Sequence, residues 1–181
     1  MNVRERYARE RWVRLPGFLA PGTVRELERL TRDLPGRRAS LSGREPPEWD
    51  ELEAEACPEL PRFFLGEPAL AVVREALDLA VGIRPRVRCW ANRYRIGDRI
   101  PPHRDGGGDV QMVVCLKAPA GEANGGVLHL ATAGGVRACP LRPGDAVLLE
   151  VTAIEHWTTP LVATPAAPEP ERVVLVGRYD L

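Results

Sequence analysis

The sequence predicts an α+β fold in which N-terminal helices buttress a β-sandwich or jelly-roll barrel. Three observations predict it: helical apolar spacing before residue 82, a run of short β-rich segments after it, and 18 Pro with 17 Gly among 181 residues. That many turn-formers favours short strands. The length is usual for one domain and allows roughly two-thirds of the unfolded surface to be buried. The expectation is one domain over 1–181, with 1–82 as helical support and lid and 83–181 as jelly-roll core.

Taken in order, residues 11–19 form a strand-like run broken by Pro16-Gly17. Pro21-Gly22-Thr23 then starts a helix. Val24, Leu27, Leu30 and Leu34 recur at roughly helical spacing with Arg25, Glu26, Glu28 and Arg29 between them, and Pro35-Gly36 closes the element. From Gly36 to about Pro61 the chain is polar and irregular, which reads as a long connection with one helical turn; loops this long are often lids. A second helix runs from Pro68 to about Val81, with Leu70, Val73, Leu77 and Val81 on one face and Gly82 at its end. The later strands are Val87–Ile96, Gln111–Leu116, Val127–Ala131, Ala146–Val151 and Arg172–Tyr179.

Twenty-five basic residues balance twenty-five acidic ones, so no global field draws the protein to nucleic acid or an anionic membrane. No apolar stretch precedes Trp12, so neither a secretory signal nor a membrane span is expected, and the expected location is cytoplasmic. Cys57, Cys89, Cys115 and Cys139 are too far apart for a zinc or redox motif and read as reduced, mostly buried thiols.

The chain has three histidines, His103, His129 and His156. In Pro102-His103-Arg104-Asp105, side chains two apart on an extended chain point to one side, so His103 and Asp105 are able to bind one ion together. Two histidines and one carboxylate on one face of an octahedral iron leave positions open for a chelating cosubstrate and O2. His156, beyond the turn Pro143-Gly144-Asp145, is the better candidate for the second histidine. His129 is the alternative and reads as a core or rim residue.

The ordered set Asn92-Arg93-Tyr94, Gly97-Asp98, His103-Arg104-Asp105, Gly125-Gly126-Val127-Leu128, Gly144-Asp145, His156 and Glu171 to Tyr179 resembles the 2-oxoglutarate/Fe(II)-dependent oxygenases over most of the chain. The pattern Asn-x-Tyr, His-x-Asp, His and two arginines six apart looks like the subset related to AlkB demethylases. The resemblance implies a double-stranded β-helix (a cupin-like jelly roll), Fe(II) on His103, Asp105 and His156, and 2-oxoglutarate and O2 as cosubstrates. It also implies that Arg172 pairs with the far carboxylate of 2-oxoglutarate, a role suited to a planar guanidinium that stays charged in a pocket. Arg178 shares its strand face and is expected to reach the same cavity from the other end, at cosubstrate or substrate. Asn92 and Tyr94 are expected to hydrogen-bond the 2-oxoglutarate carboxylates.

Because Asp105 occupies the carboxylate position, hydroxylation is expected rather than halogenation. The expected substrate is a small molecule such as an amino acid or biosynthetic intermediate, with Arg88, Trp49 and Trp157 as candidate contacts and Glu48, Asp50 or Glu51 on the lid. Trp157 directly follows the distal histidine, so regular alternation turns it to the outer face. Two other readings stand: oxidative dealkylation of nucleic acid, and a non-catalytic cupin-like metal-binding protein. The glycines at 106–108 and the balanced charge speak against nucleic acid. The sequence carries no reading of oligomeric state.

Overall fold

A seven-stranded and a four-stranded sheet lie face to face in the computed structural model, which describes residues 2–41, 48–80, 82–119 and 121–181. In chain order the elements are α1 (Val3–Glu10), β1 (Trp12–Leu15), α2 (Pro21–Arg32), β2 (Gly36–Ala39), β3 (Trp49–Leu52), α3 (Glu59–Leu65), α4 (Ala69–Leu77) and β4 (Arg86–Tyr94). There follow β5 (Ile100–His103), β6 (Val110–Lys117), β7 (Leu128–Thr132), β8 (Gly135–Cys139), β9 (Ala146–Glu150), β10 (Glu155–Thr158) and β11 (Arg172–Asp180). The large sheet has the order β1-β9-β6-β11-β4-β3-β2 and the small one β5-β10-β7-β8. Every strand pairing among the described residues is antiparallel, as a jelly roll requires.

The central strand β11 shows how sequence alternation sorts the two faces. Val173, Leu175 and Tyr179 turn to the helices, where they join Leu60, Phe64, Val73, Met112 and Leu148 in one core. Val174 and Val176 turn the other way, into a second core between the sheets with Tyr94, Ile100, Val113, Leu128 and Leu130. Gly177 sits where the α3 ring of Phe64 presses on the sheet: a Cβ there would lie 2.5 Å from the ring. The Tyr179 hydroxyl donates to the Phe64 carbonyl at 2.9 Å and pins the same helix.

All five expected strands form, each within two residues of its expected limits. Four differences have physical causes. The N-terminal helix α1 buries only Tyr7, so it carries no apolar stripe to read. It is held by an Asn2–Glu5 capping box and by the bonds of Val3 N to Glu75 and Arg4 to Asp78. The stretch expected as a connection from 36 to 61 holds the β2–β3 hairpin, a short 3-10 turn at Ala54–Ala56 and the start of α3. Residues 42–47, including Glu45 of the expected lid, lie outside the described residues.

The first 82 residues are therefore more than helical support, because β1, β2 and β3 all join the large sheet. The second expected helix ends at Leu77, where Asp78 takes a left-handed conformation (φ 54°) as its C-cap. Val81, its expected last residue, lies outside the described residues.

The sheet edge at β1 is locked by Asp145. Its carboxylate accepts from Arg14 Nη2 at 2.8 Å, the Gly17 N–H at 2.8 Å and the Arg142 N–H at 3.1 Å. Burial pushes the Asp145 carboxyl up, but the Arg14 bond and the two backbone N–H groups outweigh it, and the net shift is downward. Cys89, Cys115 and Cys139 are buried. Burial pushes the Cys115 and Cys139 thiols up to about 11, which leaves them inert at neutral pH. No described helix is long and apolar enough to cross a membrane.

Candidate metal and cosubstrate site

The pairing of β5 with β10 puts His156 directly opposite His103, and their ring centroids lie 4.3 Å apart. Asp105, two residues past His103, completes the cluster. His103 Nε2 is 3.8 Å from Asp105 Oδ1 and His156 Nε2 is 3.6 Å from Asp105 Oδ2. The three residues each offer a ligand atom within 4.8 Å of the others, the one such group among the described residues.

Each imidazole is oriented by a carbonyl: His103 Nδ1 meets Pro101 O at 2.9 Å and His156 Nδ1 meets Ile154 O at 3.1 Å. A carbonyl only accepts, so both rings carry their proton on Nδ1 and aim a lone pair from Nε2 at the shared point. Burial, and then the neighbouring His103, hold the His156 imidazole below its usual pKa and therefore neutral. Asp105 Oδ2 is buried without a hydrogen-bond partner, a costly state for a carboxylate unless a cation completes it. Two imidazoles and one carboxylate form the facial set that suits non-haem Fe(II), so the residues present fit that metal.

Arg178 borders the same cavity from the other end, as its strand face led us to expect. Its Nη2 lies 2.5 Å from Asp105 Oδ1, its Nε and Nη2 donate to Gln111 Oε1 at 3.1 and 2.8 Å, and its guanidinium lies 4.9 Å from the Trp90 ring centroid. The guanidinium thus engages the Asp105 carboxylate, a partner the sequence did not suggest. Gly108 makes room for it: φ is +84° there, and a Cβ would lie 2.6 Å from Arg178 Cγ. Gln111 and Trp90 were not singled out from the sequence. The signal for Gln111 was present, a polar residue inside the apolar run Val110 to Leu116.

The other end of the inner face carries Arg172, directly opposite Tyr94 in the β11–β4 register. Arg172 is 3% exposed, lies 5.0 Å from the Tyr94 ring centroid and has a buried Nη1 without a partner. Burial raises the Tyr94 phenol against the pull of Arg172, Asn92 and Thr158, which surround its hydroxyl, so it remains a donor. Asn92 engages this hydroxyl through its amide while its Oδ1 is buried and unpartnered. Asp50 pairs with Arg93, which puts Trp49 level with Tyr94; Trp49 Nε1 is also buried and unpartnered.

A cavity of about 450 Å³ joins the two ends and is bordered by His103, Asp105, His156, Arg172, Arg178 and the inner face of β4. Trp49 and Arg88 line it. Trp157 also borders it, but its indole stacks on His129 at 5.4 Å and 13°, across the β7–β10 pair. His129 is therefore a partner for Trp157, and its Nδ1 meets the Val127 carbonyl at 3.2 Å.

The chain matches no family model and no curated protein sequence. Its fold matches solved structures closely. A prolyl-4-hydroxylase from Pseudomonas putida superposes with a TM-score of 0.75 at 20% identity, covering 99% of this chain and 97% of that one. An oxidoreductase of the 2OG-Fe(II) oxygenase family from Burkholderia pseudomallei gives 0.74 at 15% identity over 98% and 89%. HygX from Streptomyces hygroscopicus, solved with nickel, 2-oxoglutarate and hygromycin B, gives 0.69 at 16% identity over 96% and 84%. Over nearly its whole length, then, this chain has the fold of the 2-oxoglutarate/Fe(II) oxygenases.

Proposed function

We propose that the protein is an Fe(II)- and 2-oxoglutarate-dependent oxygenase that hydroxylates a small molecule and releases succinate and CO2. His103 Nε2, His156 Nε2 and Asp105 Oδ2 hold the metal. When bound, the metal together with 2-oxoglutarate and O2 supplies the oxidising power for hydroxylation.

The chain's own residues do the positioning. Arg172 Nη1 takes one oxygen of the distal cosubstrate carboxylate, and the Tyr94 hydroxyl and Trp49 Nε1 are further donors at the same end. Asn92 acts there through Tyr94, whose hydroxyl it orients. Arg178 fixes Asp105 by occupying Oδ1, so that Oδ2 alone remains for the metal. The apolar walls Val113, Leu128, Val174 and Val176 exclude water from the reacting carbon.

A cavity of about 450 Å³ lies at the small end of the roughly 300–1,000 Å³ typical of ligand sites, and it has to hold the cosubstrate as well. That size, with a net charge of zero and hence no overall cationic excess to track phosphates, supports a small substrate. HygX was solved with the small molecule hygromycin B bound, which is consistent with that class.

The observation that carries the reading is the pair of buried, unpartnered atoms at the two ends of one cavity, Asp105 Oδ2 and Arg172 Nη1. One calls for a cation and the other for an anion. The test is anaerobic titration with Fe(II) and 2-oxoglutarate. A visible charge-transfer band followed by succinate release on admitting O2 is expected. Metal binding with neither band nor succinate would instead make this a non-catalytic metal-binding protein.

A further inference from the structure

Gln111 is the polar residue of an otherwise apolar stretch of β6. It is 4% exposed, and the next residues on its face of the strand, Val113 and Cys115, belong to the core between the sheets. Burying an amide there is costly unless its hydrogen bonds are met, so the position has a use that packing does not supply.

The strand register shows that use. β11 sets Arg178 between Arg88 of β4 and Gln111 of β6. Like charges directly opposite each other repel, so a guanidinium leaning toward Arg88 is disfavoured, and Gln111 offers an acceptor on the other side. A guanidinium only donates, so Gln111 turns its oxygen to it. Arg178 Nε and Nη2 both donate to that one oxygen, at 3.1 and 2.8 Å. Two donors of a rigid plane on a single acceptor fix the direction of the plane, and the Trp90 ring, with its centroid 4.9 Å away, backs its face. Nη2 carries two hydrogens: one goes to Gln111, and the other is left for Asp105 Oδ1 at 2.5 Å.

A neutral acceptor suits this task. A carboxylate at residue 111 would compete with Asp105 for the guanidinium, whereas an amide orients the cation and leaves its charge to the metal-side carboxylate.

We infer that Gln111 is a positioning residue of the metal centre: acting through Arg178, it holds Asp105 by Oδ1 so that Oδ2 is the oxygen offered to the metal. The inference rests on the oxygenase reading above and extends its metal site by one layer, from Asp105 through Arg178 to β6.

The test is a double-mutant cycle of Gln111→Met and Arg178→Met, read by anaerobic Fe(II) titration with melting of the metal-free proteins alongside. Gln111→Met keeps the length of the side chain and removes the acceptor. It is expected to weaken Fe(II) about 5-fold or more and, at saturating metal, to shift the Fe(II)–2-oxoglutarate band, because Asp105 is then free to turn. In the Arg178→Met background the same substitution is expected to weaken Fe(II) no further, since residues acting in series are not additive. Gln111→Asn keeps the amide but draws its oxygen back by one carbon, about 1.5 Å, and is expected to weaken Fe(II) as Gln111→Met does. Where Gln111→Met does not fold, Gln111→Asn decides.

Unchanged Fe(II) affinity in either folded variant, or an equal loss with and without Arg178, would overturn the inference. A lowered melting temperature with metal affinity intact would likewise overturn it and make Gln111 a packing residue. If the wild type binds Fe(II) but gives neither band nor succinate, the oxygenase reading has failed, and the cycle in Fe(II) affinity still decides the role of Gln111. A wild type that takes up no Fe(II) overturns both.

Discussion

Arg178 Nη2 stands 2.5 Å from Asp105 Oδ1, so the carboxylate of the metal cluster is held on one oxygen by the large sheet and left open on the other. The arrangement joins the sheets at the point where chemistry is expected. A carboxylate gripped on one side has one orientation instead of two, and the ligand set is formed before any cation arrives.

Removing that grip is expected to loosen the metal rather than the fold. Arg178→Met should weaken Fe(II) about 10- to 100-fold, the usual range for losing an outer partner of a ligand. Arg178→Lys should recover part of the affinity, since it restores the charge without the fork. Metal titration under anaerobic conditions, with melting of the metal-free protein alongside, separates the two effects. A melting temperature that falls in both variants while metal affinity holds would make Arg178 structural.

The opposite end of the cavity gives a different signature. Arg172→Ala is expected to raise the KM for 2-oxoglutarate at least 10-fold with Fe(II) affinity unchanged. Asp105→Ala should abolish turnover and metal binding together. Steady-state succinate release and metal titration on the two proteins give the comparison, and full activity in either would remove its assigned role.

Asp145 makes stability depend on pH in one direction. Its folded carboxyl lies below the ordinary carboxylate range, so its contribution is complete above the unfolded value of about 4 and is lost as pH falls through the lower folded value. Asp145→Asn should cost about 1–2 kcal/mol at neutral pH, and the gap to wild type should close in acid below about pH 4. Urea unfolding across that range measures it; a gap independent of pH would assign the loss to geometry instead of charge.

Gly177 is expected to tolerate no methyl group. A Cβ 2.5 Å from the Phe64 ring forces α3 off the sheet, and Gly177→Ala should cost about 1–3 kcal/mol as overpacking does. The double variant Gly177→Ala with Phe64→Leu should recover part of that loss, read by denaturant midpoint.

How much of this was legible beforehand follows from what local pattern reports. His103 and Asp105 were readable because side chains two apart on an extended chain share a side, and His156 because the chain offers so few histidines. The five recognised strands are those whose alternation or apolar runs are buried on the large sheet or in the barrel. The β2–β3 hairpin escaped because its cross-strand pairs Arg37–Glu51 and Arg38–Asp50 are charged and its buried Trp49 and Leu52 are three apart, which leaves no period of two to read. Helix α1 escaped because one buried Tyr7 is no stripe.

The sequence by itself determined the strand grammar and pointed to His103, Asp105 and His156, which the fold brings together. Only tertiary structure decided that Arg178 answers Asp105, that Arg172 stands opposite Tyr94, and that His129 is the ring on which Trp157 stacks. Burial periodicity is a property of one strand, whereas the partner of a polar atom is set by the register between strands and the closure of two sheets. Neither is written in any local stretch of residues.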